Sequence, residues 1–217
     1  MKQKDLETAI NFYLLATKLK YKIRSGWDDE HWNIKGERRE SVAEHIYGTC
    51  ILAISLAPYS NLNIDLNKTL KMLVIHELGE AIAKDITPFD GISQEEKLRL
   101  EHEAMLRVVG ELVTKEELIQ LILEFDEGKT PEAHFAFQCD KLDADIQSKI
   151  YQDKNLHNPL NSQENNVVMK KSKTQEIIKG GAQTAFDIWY EYDKTLYDDN
   201  SIFKEALEFV KKNNTNI

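Results

Sequence analysis

Apolar residues recur along this chain at spacings of three and four, with no sustained period-two alternation, and this pattern predicts an all-α protein. It places helices near 3–20, 41–58, 66–84, 93–112, 115–127, 131–152, 171–193 and 200–213. Start signals agree: Ser41-x-x-Glu44, Ser93-x-x-Glu96 and Thr114-x-x-Glu117 have the capping-box form, and Pro131 stands where a first-turn proline belongs. Two connections are long. Residues 21–40 carry Arg24, Ser25, Gly26, Trp27, His31, Trp32, Arg38 and Arg39 and are expected to face a substrate; residues 153–170, rich in Asn, Gln and Lys, are expected to form a flexible surface loop. No repeat or low-complexity linker divides the chain, so one domain spanning 1–217 is expected, with 171–217 as C-terminal helices packed on it.

The segment from Leu66 to Ala83 is apolar almost all round, which predicts a central, buried helix, yet it contains His76, Glu77 and Glu80. Helical spacing puts Glu77 on the stripe of Leu66, Leu70 and Leu73, where an unpaired carboxylate would lose several kcal/mol of solvation or take up a proton. His45 precedes the apolar run Ile46, Ile51, Ile54, and Asp140 borders the stripe Phe135, Cys139, Leu142, Ile146. Each has a plain structural reading. A single helical His is usually a hydrogen-bonded packing residue, Glu44 is economically a capping residue, and Glu77 and Asp140 could pair with Lys84 and Lys141. Taken together, His45, His76, Glu77 and Asp140 on three buried helices would satisfy one another through one cation. Two imidazoles and two carboxylates suit one divalent ion such as manganese, cobalt, iron, zinc or nickel.

Charge and composition narrow the partners. Lys and Arg number 28 against 37 Asp and Glu, a net charge of -9 that argues against a long nucleic acid. A small anion is still admissible where a metal reverses the local field. The N-terminal stretch lacks the uninterrupted apolar block of a signal peptide, and no stretch is long and apolar enough to span a membrane. Cys50 and Cys139 both fall in helical patterns, which speaks against a disulfide framework or a thiolate zinc site. A cytoplasmic location is expected.

The strings Glu40-Ser-Val-Ala-Glu-His45, His76-Glu-Leu-Gly-Glu80-Ala-Ile-Ala-Lys-Asp85-Ile-Thr-Pro88 and Cys139-Asp140-Lys-Leu-Asp143, in this order, resemble the HD-domain phosphohydrolases, and more narrowly their 5′-deoxynucleotidase branch. The likeness covers roughly residues 10–150, with Arg24-Ser-Gly-Trp27 upstream and Glu95-Glu-Lys97 downstream. It implies a helical bundle around one divalent ion, with His45, His76, position 77 and Asp140 as ligands. It also implies that Glu80 assists proton transfer, that Arg24 meets the phosphate, and that Asp85 and Trp27 lie near the sugar of a nucleoside 5′-monophosphate. One departure stands out: the family's His-Asp doublet is His76-Glu77 here. Glutamate keeps the charge and donor atoms but adds a methylene, so the metal is either retained with shifted geometry or lost. His31, His102 and His134 match no further metal ligand, which favours one metal over two and makes His102 and His134 surface or structural residues.

Three rival readings remain at this level. One is a nucleotide-binding protein whose His-Glu doublet has weakened catalysis. Another is a phosphohydrolase acting on a different nucleotide or phosphomonoester. The third is a structural helical homodimer, suggested by the C-terminal stripe Phe186, Trp189, Tyr190, Leu196, Phe203.

Overall fold

Thr130 accepts a hydrogen bond from the backbone N–H of Ala133, Pro131 fills the first turn, and from this start runs the longest helix, Pro131–Asp153. A computed structural model of the chain describes residues 3–83, 91–163 and 166–215. In chain order the helices are α1 (Gln3–Ala16), α2 (Val42–Leu56), α3 (Leu66–Ile75), α4 (Gln94–Val109), α5 (Lys115–Glu127), α6 (Pro131–Asp153), α7 (Ser172–Lys179), α8 (Ala185–Asp193) and α9 (Ile202–Lys212). Among the described residues the only β pairing is an isolated antiparallel bridge between Ile23 and Ser41.

The long helix α6 is the axis of the fold, with α2, α3, α5, α8 and α9 packed around it. Its core side chains Phe135, Ala136, Cys139 and Leu142 meet Ala53 of α2, Leu73 of α3, Phe186 and Tyr190 of α8, and Phe203 and Leu207 of α9. A second cluster joins Val42, Met72, Ile75 and Leu78 to Met105, Val108 and Val109 of α4 and to Leu121 and Ile122 of α5. These two clusters enclose the inner faces of α2, α3 and α6, which is where the polar residues of interest lie. Cys50 and Cys139 are free thiols. Among the described residues no helix is long and apolar enough to cross a membrane.

Several sequence expectations need correction. The helix expected over 66–84 ends at Ile75, and a separate 3₁₀ turn covers Leu78–Ala81. Gly79 eases that turn: a Cβ there would lie 3.1 Å from the backbone oxygen of Glu101, so any larger residue would push the turn a few tenths of an ångström off α4. The helix expected over 171–193 is two helices, parted at Gly180-Gly181, where Gly181 takes a φ of +113°. A capping box of Thr184 and Asp187 restarts the chain as α8. Thr114 makes no side-chain cap, because its backbone is not in the extended conformation that aims the hydroxyl back at the helix.

The second long connection, expected to be a flexible surface loop, packs instead on the first. Val168 at the end of the second is buried against Trp27, Trp32 and Ile34 of the first, and Gln163 and Asn166 are buried too. Val167 N–H donates to Glu30 O at 3.0 Å and Lys35 N–H to Leu156 O at 2.9 Å, stitching the two segments together. The two tryptophans of 21–40, Trp27 and Trp32, therefore face the core. Most of the C-terminal stripe turns inward: Phe186, Tyr190 and Phe203 are buried, while Leu196 is exposed, so those three rings offer no surface to a second copy.

Candidate metal centre

The four residues singled out by their polarity converge. His45 is carried by the second turn of α2, set by the capping box of Ser41 and Glu44; Asp140 projects from the middle of α6; and His76 and Glu77 follow directly on the last residue of α3. One ligand atom from each lies within 4.8 Å of the other three. His45 Nε2 is 3.0 Å from Asp140 Oδ1 and 3.9 Å from Glu77 Oε1. His76 Nε2 is 3.7 Å from Asp140 Oδ1 and 3.8 Å from Glu77 Oε1. Bonds of about 2.0–2.2 Å to a shared ion would set neighbouring donor atoms about 3 Å apart and opposed ones about 4 Å apart, the range spanned here. Because α3 has already ended, Glu77 does not share the helical stripe of Leu66, Leu70 and Leu73; the backbone at Glu77 turns to φ −101°, ψ 11° and swings its carboxylate inward.

One atom tests whether a cation belongs there. The Nδ1 of His76 lies 2.7 Å from the carbonyl oxygen of Leu73, which fixes the proton on that nitrogen. Its Nε2 is buried and has no hydrogen-bond partner among the described residues, so a lone pair points towards two carboxylates. Such an arrangement is repulsive unless a positive charge lies between. The charges of the other members agree. Burial acts to raise the carboxyl of Glu77, but the Arg24 guanidinium beside it prevails and holds it well below the usual carboxylate range. Burial likewise opposes ionisation of Asp140, and Lys141 and His45 overcome it. Burial and Arg24 act to lower His45, yet its bonds to Asp140 and Asp143 prevail and push it up to about 9. The cluster thus holds two anionic carboxylates around imidazole nitrogens, a donor set suited to a divalent ion that takes the place of a proton.

Around this cluster stand the other residues of interest. Arg24 Nη1 donates to Glu77 Oε1 at 2.5 Å, so the guanidinium of the 21–40 segment reaches the centre even though the segment's rings do not. Glu80 is buried on the 3₁₀ turn that follows directly on Glu77. Lys22 Nζ lies 3.8 Å from Glu80 Oε2 and donates to the Glu80 carbonyl at 2.8 Å. Of the two alternative ion pairs, Asp140 does bind Lys141, at 2.8 Å, but through Oδ2, leaving Oδ1 to the cluster. The other partner, Lys84, lies outside the described residues, as does Asp85.

Trp27 needs correction as a residue that touches substrate. It is only 2% exposed, its ring centroid is 5.2 Å from those of both Tyr151 and Trp189, and its indole N–H donates to Glu40 Oε2 at 2.7 Å. A ring so enclosed has no free face for a base. His102 and His134 lie apart from the cluster, each paired with an aspartate: His102 with Asp126 and His134 with Asp198. His31 is buried beside Asp28.

Sequence reasoning passed over two acids. Asp143, one turn beyond Asp140 on α6, lies 2.7 Å from His45 Nδ1, and Glu40 joins His45 and Asp143 in a second group of close ligand atoms. Burial and the nearby Asp143 push the Glu40 carboxyl up to about 7. The spacing Asp140-x-x-Asp143 was the available signal, since positions three apart share a helix face.

Residues 16–185 match a family model described as an HD domain. The 5′-deoxynucleotidase hdd1 of Schizosaccharomyces pombe is 35% identical over 151 residues, which cover 67% of this chain and 73% of that protein. The 5′-deoxynucleotidase HDDC2 of Homo sapiens is 32% identical over 146 residues, covering 66% and 68% respectively. A solved chain described as a predicted metal-dependent phosphohydrolase from Magnetospirillum magnetotacticum superposes with a TM-score of 0.64 at 20% identity, over 96% of this chain and 90% of that one, a likeness of fold.

Proposed function

Because the chain belongs to the HD-domain family, we propose that it is a metal-dependent phosphohydrolase releasing phosphate from nucleoside 5′-monophosphates, with deoxyribonucleotides preferred. The observation that carries this reading is the convergence of His45, His76, Glu77 and Asp140, with the buried His76 Nε2 left without a partner among the described residues. The likeness to two 5′-deoxynucleotidases supports the choice of substrate class.

A divalent ion held by these four residues would polarise a phosphate oxygen and acidify water; manganese, cobalt, iron, zinc and nickel all suit the donor set. The remaining work falls to the chain's own groups. Arg24, already at the rim of the cluster through Glu77, balances negative charge as it develops on the phosphoryl oxygens. Glu80 takes up the proton released by the attacking water. Lys22 fixes the backbone of the turn that carries Glu80. Phosphate-ester hydrolysis asks for positioning and charge compensation more than covalent help, and this arrangement supplies both. Asp85 is assigned to the sugar hydroxyls on the resemblance alone. Trp27 acts at one remove, by holding Glu40. The chain 1–217 is taken as one domain, in which α8 and α9 back the site through α6.

Phosphate release from a panel of substrates tests the assignment. Deoxyribonucleoside 5′-monophosphates should be hydrolysed faster than ribonucleotides and simple sugar phosphates. Equal rates across all phosphomonoesters, or a preference for triphosphates, would overturn the substrate choice.

A further inference from the structure

The two imidazoles of the cluster present the same nitrogen inward but are held by different groups. His76 gives its Nδ1 proton to a neutral carbonyl, that of Leu73. His45 Nδ1 instead meets the carboxylate of Asp143 at 2.7 Å, and its Nε2 meets Asp140 on the same face of α6. One helix therefore grips His45 at both nitrogens, and the Asp143 side of that grip needs room. A Cβ on Gly48, one turn along α2 from His45, would lie 2.1 Å from Asp143 Oδ1 and 2.9 Å from its Cγ. Gly48 is helical with an ordinary backbone, so flexibility does not call for glycine there. The space does.

We propose that Asp143 is a positioning residue of the metal centre, holding His45 in the tautomer and orientation that turn Nε2 towards the ion, and that Gly48 exists to admit its carboxylate. The proposal rests on the metal-site reading above and deepens it. Outer carboxylates of this kind fix ring orientation and raise ligand basicity, and their loss lowers metal affinity about 10- to 100-fold. Gly48 acts only through Asp143: the atom a methyl group would strike is the end of a side chain that can rotate away, so Gly48→Ala should displace the carboxylate while leaving the helices packed.

The test is Co²⁺ affinity of the full chain, measured by competition with a colorimetric chelator, in wild type, Asp143→Ala, Asp143→Asn, Gly48→Ala and the Gly48→Ala/Asp143→Ala double variant. Asp143→Ala and Gly48→Ala should each weaken Co²⁺ binding about 10- to 100-fold. Asp143→Asn should lose less, because its amide oxygen still accepts from Nδ1. The double variant should be no weaker than Asp143→Ala, since a methyl at 48 has nothing left to displace; residues that act through one another are non-additive in this way. Far-UV circular dichroism identifies any variant that does not fold, and Asp143→Asn, which preserves shape, then carries the comparison. Wild-type affinity in the Asp143 variants, or additive losses in the double variant, overturns the positioning role while the metal site stands. Failure of the wild type itself to bind Co²⁺ overturns the metal site on which the role rests.

Discussion

Replacing Glu80 with glutamine should lower turnover by about 10²- to 10⁴-fold, the range supplied by a positioned general base, while the protein keeps its divalent ion. Glu80 stands outside the four-residue cluster, on the 3₁₀ turn just beyond Glu77, and it is buried beside Lys22. Glutamine preserves the volume of the side chain, so no cavity opens. What it cannot do is accept a proton. Turnover measured at saturating substrate alongside metal content separates the two roles: loss of both together would make Glu80 part of the ligand set, and unchanged turnover would remove it from the chemistry.

Glu77→Gln should act on the other side of that division and weaken metal binding by more than the 10- to 100-fold expected from loss of an outer partner. The carboxylate is shared. Oε1 faces His45 and His76 at 3.9 and 3.8 Å and accepts from Arg24 at 2.5 Å, so neutralising it removes charge from the centre and leaves the guanidinium without its anion. Glu77→Asp keeps the charge and shortens the reach by one methylene. It should remain metal-loaded and active, with a changed order of preference among divalent ions, because the same charge would meet the ion from a shorter arm. Metal content of the two variants after equilibration with the same ion decides the matter. Full occupancy with normal activity in Glu77→Gln would show that Glu77 is not a ligand.

Most of this site was legible in the sequence because it violates the pattern around it. His45 and Asp140 interrupt apolar helical stripes, and His76-Glu77 interrupts an almost wholly apolar segment, so polarity alone demands a partner for each. The helix break between them was not legible from periodicity. Leu78 and Ala81 join the same core cluster as Met72 and Ile75, so the apolar spacing runs on through a turn that is no longer α-helical. Gly79 was the mark of that turn, and its reason, close packing on Glu101 of α4, is a tertiary contact. Trp27 was misplaced for a related cause: a tryptophan in a long connection reads as exposed, and only the folding of the second connection, 153–170, over the first encloses it. Asp143 was passed over because an acid one turn along a helix is usually solvated. Only the approach of α2, opened by Gly48, turns it into a partner of His45.

A metal-dependent nucleotide phosphatase built on this cluster is tested most directly by phosphate release by the metal-stripped chain from deoxyribonucleoside 5′-monophosphates, before and after addition of Mn²⁺ or Co²⁺. The stripped protein should release negligible phosphate, and release should return with the ion. Release that is indifferent to chelation would contradict the metal's part in the reaction. No release from any nucleotide after metal addition would contradict the enzyme itself and leave a nucleotide-binding protein in its place.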